Sequence, residues 1–211
     1  MFRAHKMAAV FALALGGCGD VEGDGHDHDH DHDHDHDHNH GVITTVTLEF
    51  TPDGGGDALS FSWSDPEDDG SPIIDDINLA NGTSYAVSVK LINDLEDGED
   101  VTGEILELAT EHQFFFTGAA VQSPATGDNA SALVEQSYAD EDANGLPVGL
   151  ENTVTSLKAG SNTMNFVLRH LPPEDGTAVK VEGLADDVAA NGFGAIGGDN
   201  DINIDFTVNV K

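Results

Sequence analysis

From Val42 to the C-terminus the side chains repeatedly alternate between apolar and polar, and a period of two constrains the chain to strands. Val46, Leu48 and Phe50 alternate with Thr45, Thr47 and Glu49. After the turn text Pro52-Asp53-Gly54-Gly55-Gly56, Leu59, Phe61 and Trp63 alternate with Ser60, Ser62 and Ser64. Successive side chains of a strand point to opposite faces, so each run has one face to bury, and the two runs together predict a hairpin. The pattern returns in Tyr85, Val87, Val89 and Leu91, in Phe114 and Phe116, in Met164, Phe166 and Leu168, and in Ile202, Ile204, Phe206, Val208 and Val210. Weaker strands are expected over residues 132–138, 152–157 and 178–181. A single helix is expected, with Asp100 as cap, Val101, Ile105, Leu108 and Ala109 on one face and Glu104, Glu107 and Glu111 outward.

Short strands punctuated by Gly, Asp, Asn and Pro, with one short helix, predict a mostly β fold over residues 42–211: an antiparallel β-sandwich. The text Leu79-Ala80-Asn81-Gly82-Thr83-Ser84-Tyr85-Ala86-Val87 resembles the turn-and-strand segments of immunoglobulin-like and fibronectin-like domains.

The first 41 residues read differently. Arg3 and Lys6 precede an apolar run, Met7 to Leu15, too short to span a bilayer, which predicts a signal peptide over residues 1–17. Leu15-Gly16-Gly17-Cys18 resembles a lipobox, in which Cys18 becomes the acylated first residue of the mature chain. Cys18 is the only cysteine, so an intramolecular disulfide is excluded. The alternative is an ordinary secretory signal with an incidental cysteine. Gly19 follows Cys18, so the Asp that marks inner-membrane retention is absent; an outer-membrane lipoprotein is expected, facing either side.

Residues 18–41 form a low-complexity tether with Val21 as its only apolar aliphatic side chain, too little to offset the entropy of ordering, and it is expected to be disordered. Its core is a histidine-aspartate repeat. His26, His28, His30, His32, His34, His36, His38 and His40 alternate with Asp27, Asp29, Asp31, Asp33, Asp35 and Asp37. In an extended chain, imidazoles at every second residue share one face about 6.5 to 7 Å apart, so two neighbours reach one ion. Imidazole suits zinc, copper, nickel and iron, and the interleaved carboxylates supply further ligands or neutralise charge. Pairwise use predicts about four loosely held ions, shed on mild acidification because histidine titrates near pH 6.5. The alternatives are a solvated charged linker with no metal role, or an affinity tag.

Across the chain, 7 Lys and Arg face 40 Asp and Glu, a formal net charge of −33, which argues against nucleic acid or anionic lipid as a partner and leaves the lipid anchor as the membrane contact. Cations are the natural counterpart.

Asp140, Asp142 and Asn144, with Leu146 through its carbonyl and Glu151 bidentate, fit the spacing of an EF-hand calcium loop. Pro147 and Gly149 oppose an exiting helix, which leaves a calcium-binding β-loop or an acidic turn that needs no ion. Asp65-Pro66-Glu67-Asp68-Asp69-Gly70 and Asp199-Asn200-Asp201 are two further oxygen-rich turns. His112 and His170 lie outside the tract and, with Glu111, form a candidate folded metal site; a helix-end role for His112 is the alternative. No nucleophile elbow, phosphate loop, dinucleotide fingerprint or HExxH is present, so an enzyme is not expected.

Val42-Ile43-Thr44-Thr45-Val46-Thr47-Leu48, Glu111-His112-Gln113-Phe114-Phe115-Phe116, Asp142-Ala143-Asn144-Gly145-Leu146-Pro147-Val148-Gly149-Leu150 and Leu168-Arg169-His170 resemble a family of bacterial lipoproteins labelled type 1 periplasmic binding fold superfamily. The resemblance spans most of residues 42–211. It implies a partner among TonB-dependent outer-membrane receptors and carries no binding residues to transfer. The label itself implies a two-lobed α/β architecture, whereas the residues spell the sandwich. Two functions follow as expectations. In the first, a lipid-anchored protein captures zinc or a similar divalent ion and delivers it to an outer-membrane transport system. In the second, a structural or adhesive surface sandwich is stabilised by calcium and the tract is a metal buffer or spacer.

Overall fold

In the computed structural model, which describes residues 41–211, the period-two runs become strands of two packed sheets. In chain order these are β1 (Thr45–Pro52), β2 (Leu59–Ser64), β3 (Ile73–Ile74), β4 (Ile77–Leu79), β5 (Ser84–Asn93), β6 (Glu99–Asp100), helix α1 (Thr102–Glu107), β7 (His112–Thr117), β8 (Val121–Gln122), β9 (Val134–Tyr138), β10 (Glu151–Ser156), β11 (Gly160–His170), helix α2 (Leu184–Asn191) and β12 (Asp199–Val210). The expected leader, Cys18 and the histidine-aspartate tract lie outside the described residues.

The larger sheet has the order β3-β2-β1-β5-β10-β9-β8, with β6 paired to β5; the smaller is β4-β12-β11-β7. The predicted hairpin forms, with Val46 opposite Trp63, Leu48 opposite Phe61 and Phe50 opposite Leu59. Alternation becomes burial in β5, where every second residue from Tyr85 to Asn93 is buried. The apolar faces of both sheets close on one core: Leu48, Val87 and Leu91 from the larger meet Phe114, Phe166, Leu168 and Phe206 from the smaller. Most pairs are antiparallel, as expected for the sandwich. Two short pairings are parallel, β4 with β12 and β8 with β9.

The smaller sheet is covered on its outer face too. Phe115 and Val167 pack there with Leu171, Leu184, Val188 and Ile196. Strands buried on both faces lose their alternation, which explains Phe114-Phe115-Phe116 and Phe166-Val167-Leu168. This cover corrects two expectations. Residues 178–181 form no strand, because Pro172 and Pro173 break the approach and Val179 packs on the outer cluster instead of pairing. A second helix follows, α2, which buries Leu184 and Val188 four residues apart; set among Asp and Ala, this single pair of large apolar residues leaves the 3.6-residue period little to show in the text. Helix α1 forms where expected but ends at Glu107, with Ala109–Glu111 a separate 3-10 turn; Val101 and Ile105 are fully buried and Ala109 nearly so, and Val101 rather than Asp100 holds the cap position, although the Asp100 carboxylate accepts the Thr102 N–H at 3.1 Å. Two helices of six and eight residues do not make the two-lobed α/β architecture implied by the family label. Among the described residues no helix is long and apolar enough to cross a membrane.

Candidate metal centre

Three strand ends of the smaller sheet coincide. β7 starts at His112, β11 ends at His170, and β12 starts at Asp199. His112 and His170 are cross-strand partners, and their rings stack with centroids 4.7 Å apart and planes 5° from parallel. Both belong to the face that carries Phe114 and Leu168 into the core, which draws the imidazoles out of water.

Asp201 joins them through a register slip. Leu168 pairs with Ile202 and Arg169 with Asn200, so Asp201 is the extra residue of a β-bulge. Strict alternation from the buried Ile202 and Ile204 would place Asp201 with the exposed Asn203 and Asp205 on the other face. A bulge re-aims the side chain it carries. The Asp201 Oδ2 consequently lies 3.7 Å from the His112 Nε2. One donor atom each from His112, His170 and Asp201 falls within 4.8 Å of the others. A tetrahedral zinc ion with bonds of about 2.0 to 2.1 Å holds its donors about 3.3 Å apart, so to share one the donors would draw together and the stacked rings turn out of parallel.

The donor chemistry fits such an ion. The His112 Nδ1 sits 3.0 Å from the Leu108 carbonyl oxygen, which can only accept, so Nδ1 carries a proton and Nε2, 3.7 Å from Asp201 Oδ2, is the ring's ligand atom, while the His170 ring lies over the face of the His112 ring. Two neutral imidazoles and one carboxylate suit zinc and neighbouring divalent transition metals better than calcium or magnesium, which take oxygen donors. The side chains of His112 and Asp201 are 0% and 3% exposed, that of His170 10%, and that of Glu111 27%. Glu111 Oε2 lies 3.9 Å from His170 Nε2, on the more exposed side of the centre.

The short turn Ala109–Glu111 binds the centre together. Its Leu108 cap carbonyl holds the His112 ring, the Ala109 carbonyl accepts the His112 backbone N–H, and the Glu111 carbonyl accepts the Leu171 N–H next to His170 at 2.6 Å. At the other end, Arg169 donates to the Gly197 carbonyl and to Asn200 Oδ1, which fixes the entry of β12. Burial lowers the Arg169 pKa, with Asp199 and Asp201 acting the other way. Gly198 has φ +77°, and any side chain there would collide with the His170 carbonyl. Gly198→Ala is therefore expected to lose more than about 1 kcal/mol of stability by thermal unfolding. Unchanged stability would show that the chain can pass His170 by another route.

Of the metal residues expected from sequence, His112 and His170 come together, and those from His26 to His40 lie outside the described residues. Asp201, not Glu111, completes the three-donor cluster. Its presence in the acidic text Asp199-Asn200-Asp201 was the only signal in the sequence; the bulge that aims it was not.

The calcium-loop residues are held from within the fold. The Asp140 carboxylate accepts the N–H groups of Gly149, Leu150 and Glu151 at 2.7 to 3.0 Å. Asp142 Oδ1 accepts from Asn144 and Leu146, and Oδ2 forms an ion pair with Lys180 at 2.9 Å. The Leu146 carbonyl accepts the Asp142 N–H, while Asn144 and Glu151 face outward. Burial raises the Asp142 pKa, but Lys180 and the two backbone donors outweigh it and leave it below the usual carboxylate value. The second acidic turn closes similarly, with Asp65 accepting from Asp69 and Gly70.

No protein-family model, no curated protein and no solved structure matches the chain.

Proposed function

We propose that this is a lipid-anchored envelope protein that captures divalent transition-metal ions, zinc foremost, and delivers them to an outer-membrane transport system. The observation that carries the reading is the cluster of His112, His170 and Asp201, with donors within 4.8 Å of one another and the His112 Nδ1 engaged by the Leu108 carbonyl, which leaves Nε2 as the ligand atom. The histidine-aspartate repeat of residues 26–40 offers the same two donor types, eight imidazoles and six carboxylates, in a text that fixes no geometry. A short repeat of weak sites favours capture and release over storage, and one ordered centre adds selectivity by geometry. The net charge of −33 concentrates cations near the surface. A TonB-dependent receptor is the proposed recipient.

The test is calorimetric titration of the full chain in detergent after the eight tract histidines have been replaced by asparagine. One zinc equivalent is expected to remain and to disappear when His112→Ala and His170→Ala are added. Zinc binding that survives both alanine substitutions, or is absent with both histidines in place, removes the folded centre from the reading. Delivery is checked separately as zinc uptake by cells with and without the protein under zinc limitation; equal uptake would limit the function to capture.

A further inference from the structure

Lys180 is a cation in an unusual place. Its side chain is fully buried, as is that of its partner Asp142, while Lys90, Lys158 and Lys211 are exposed. A buried ammonium is costly unless its donors are met, and the fold meets this one twice: Nζ lies 2.9 Å from Asp142 Oδ2 and donates to the Ala109 carbonyl at 2.8 Å. Lys180 comes from the segment between β11 and α2, Ala109 from the turn before β7, and Asp142 from the acidic loop before β10. Three segments far apart in sequence thus meet on one nitrogen.

The two acceptors are both informative. Asp142 stands at the third position of the calcium-spaced text beginning at Asp140, where an ion would sit among acidic oxygens. The Ala109 carbonyl is the same acceptor that takes the His112 backbone N–H. One turn of chain therefore separates the ammonium from a metal donor. The loop is fastened to β7 as well, because Phe114 N–H donates to the Val148 carbonyl and Tyr138 Oη donates to the Phe114 carbonyl, both at 2.7 Å. Gly149 leaves no gap there, since a Cβ on it would approach Phe114 Cβ to 2.8 Å.

We propose that the Lys180 ammonium is the resident cation of the Asp140-to-Glu151 loop and, through the Ala109 carbonyl, a positioning residue for His112 in the metal centre. The loop then acts as a clamp that needs no calcium, with the Asp142 carboxylate met by Lys180 and that of Asp140 by three backbone N–H groups. This inference rests on the metal-centre reading above.

The experiment uses the full chain with the tract histidines replaced by asparagine as parent, and adds Lys180→Met together with Asp142→Asn. Exchanging both members avoids leaving one buried charge alone, and asparagine keeps an acceptor for the Asn144 and Leu146 N–H groups. Zinc affinity is measured by competition with a chromophoric chelator, and cobalt(II) loading is followed by its visible absorption. A folded double variant with zinc affinity lowered about 10- to 100-fold and an altered cobalt spectrum is expected, as for other groups that orient a metal ligand. Val87→Ala, in the opposite sheet, serves as a destabilised control that keeps both the affinity and the spectrum.

A double variant that binds zinc and cobalt as the parent does overturns the positioning role while leaving the metal centre standing. If the double variant fails to fold, Lys180→Met and Lys180→Arg are compared: a cobalt spectrum lost with methionine and recovered with arginine supports the role, and a parent-like spectrum in Lys180→Met overturns it. A parent that binds no zinc overturns both readings. Calcium added to the parent is expected to leave its melting temperature unchanged, and a rise would overturn Lys180 as the resident cation.

Discussion

Asp201→Asn, introduced into the chain whose tract histidines have been replaced, is expected to weaken zinc binding by about a hundredfold or more, beyond the effect typical of an outer-shell partner. The substitution keeps the shape of the side chain and removes only its charge. Among the three clustered donors Asp201 alone is a carboxylate, the other two being imidazoles. A divalent ion brought into this buried strand end, beside side chains 0% and 3% exposed, needs that negative charge in place of water. Chelator competition reads the change directly. An affinity within twofold of the parent would show that Asp201 is not a ligand and would return Glu111, 3.9 Å from His170 Nε2, to consideration.

Phe166→Ala is expected to cost about 3 to 5 kcal/mol and to lower the melting temperature by about 6 to 20 °C. Phe166 is fully buried at the centre of the smaller sheet, with Phe114 and Phe116 at 5.1 and 5.0 Å and Phe206 at 6.4 Å between ring centroids. Truncation opens a cavity bounded by rigid rings that collapse poorly, and it removes several aromatic contacts worth about 0.5 to 1.5 kcal/mol each. Against a typical total of about 5 to 15 kcal/mol, that loss is large. Thermal unfolding by circular dichroism measures it, and a loss under about 1 kcal/mol would mean that the aromatic cluster is not where the two sheets gain their stability. Because β7 and β11 carry His112 and His170 on the same face as these rings, zinc should raise the melting temperature of this variant less than that of the parent.

Local text carried much of the fold. Val46, Leu48 and Phe50 needed only their alternation to be assigned to a strand with one buried face, and the glycine-rich turn after Pro52 needed only its composition to predict the hairpin. Val101, Ile105 and Ala109 announced a helix face in the same way. The text failed where burial came from two directions. Phe114-Phe115-Phe116 does not alternate because Phe115 is covered by the segment around Leu184 and Val188, and α2, with that one pair of large apolar residues, shows neither itself nor its packing on Val167 in the text.

The candidate site divides along the same line. By itself the sequence determined which donor types are present: a repeat of imidazoles and carboxylates, two further histidines flanked by strand text, and acidic turns with cation-binding spacing. These are properties of neighbouring residues. Only the tertiary structure decided which donors meet. His112 and His170 are 58 positions apart and become neighbours through strand pairing, Asp201 reaches them through a bulge that shifts the register of β12, and Lys180 pairs with Asp142 of the acidic loop from a distant segment. Register, bulges and buried ion pairs are set by how whole faces pack and where their polar groups find partners, and that balance is struck between segments remote in sequence.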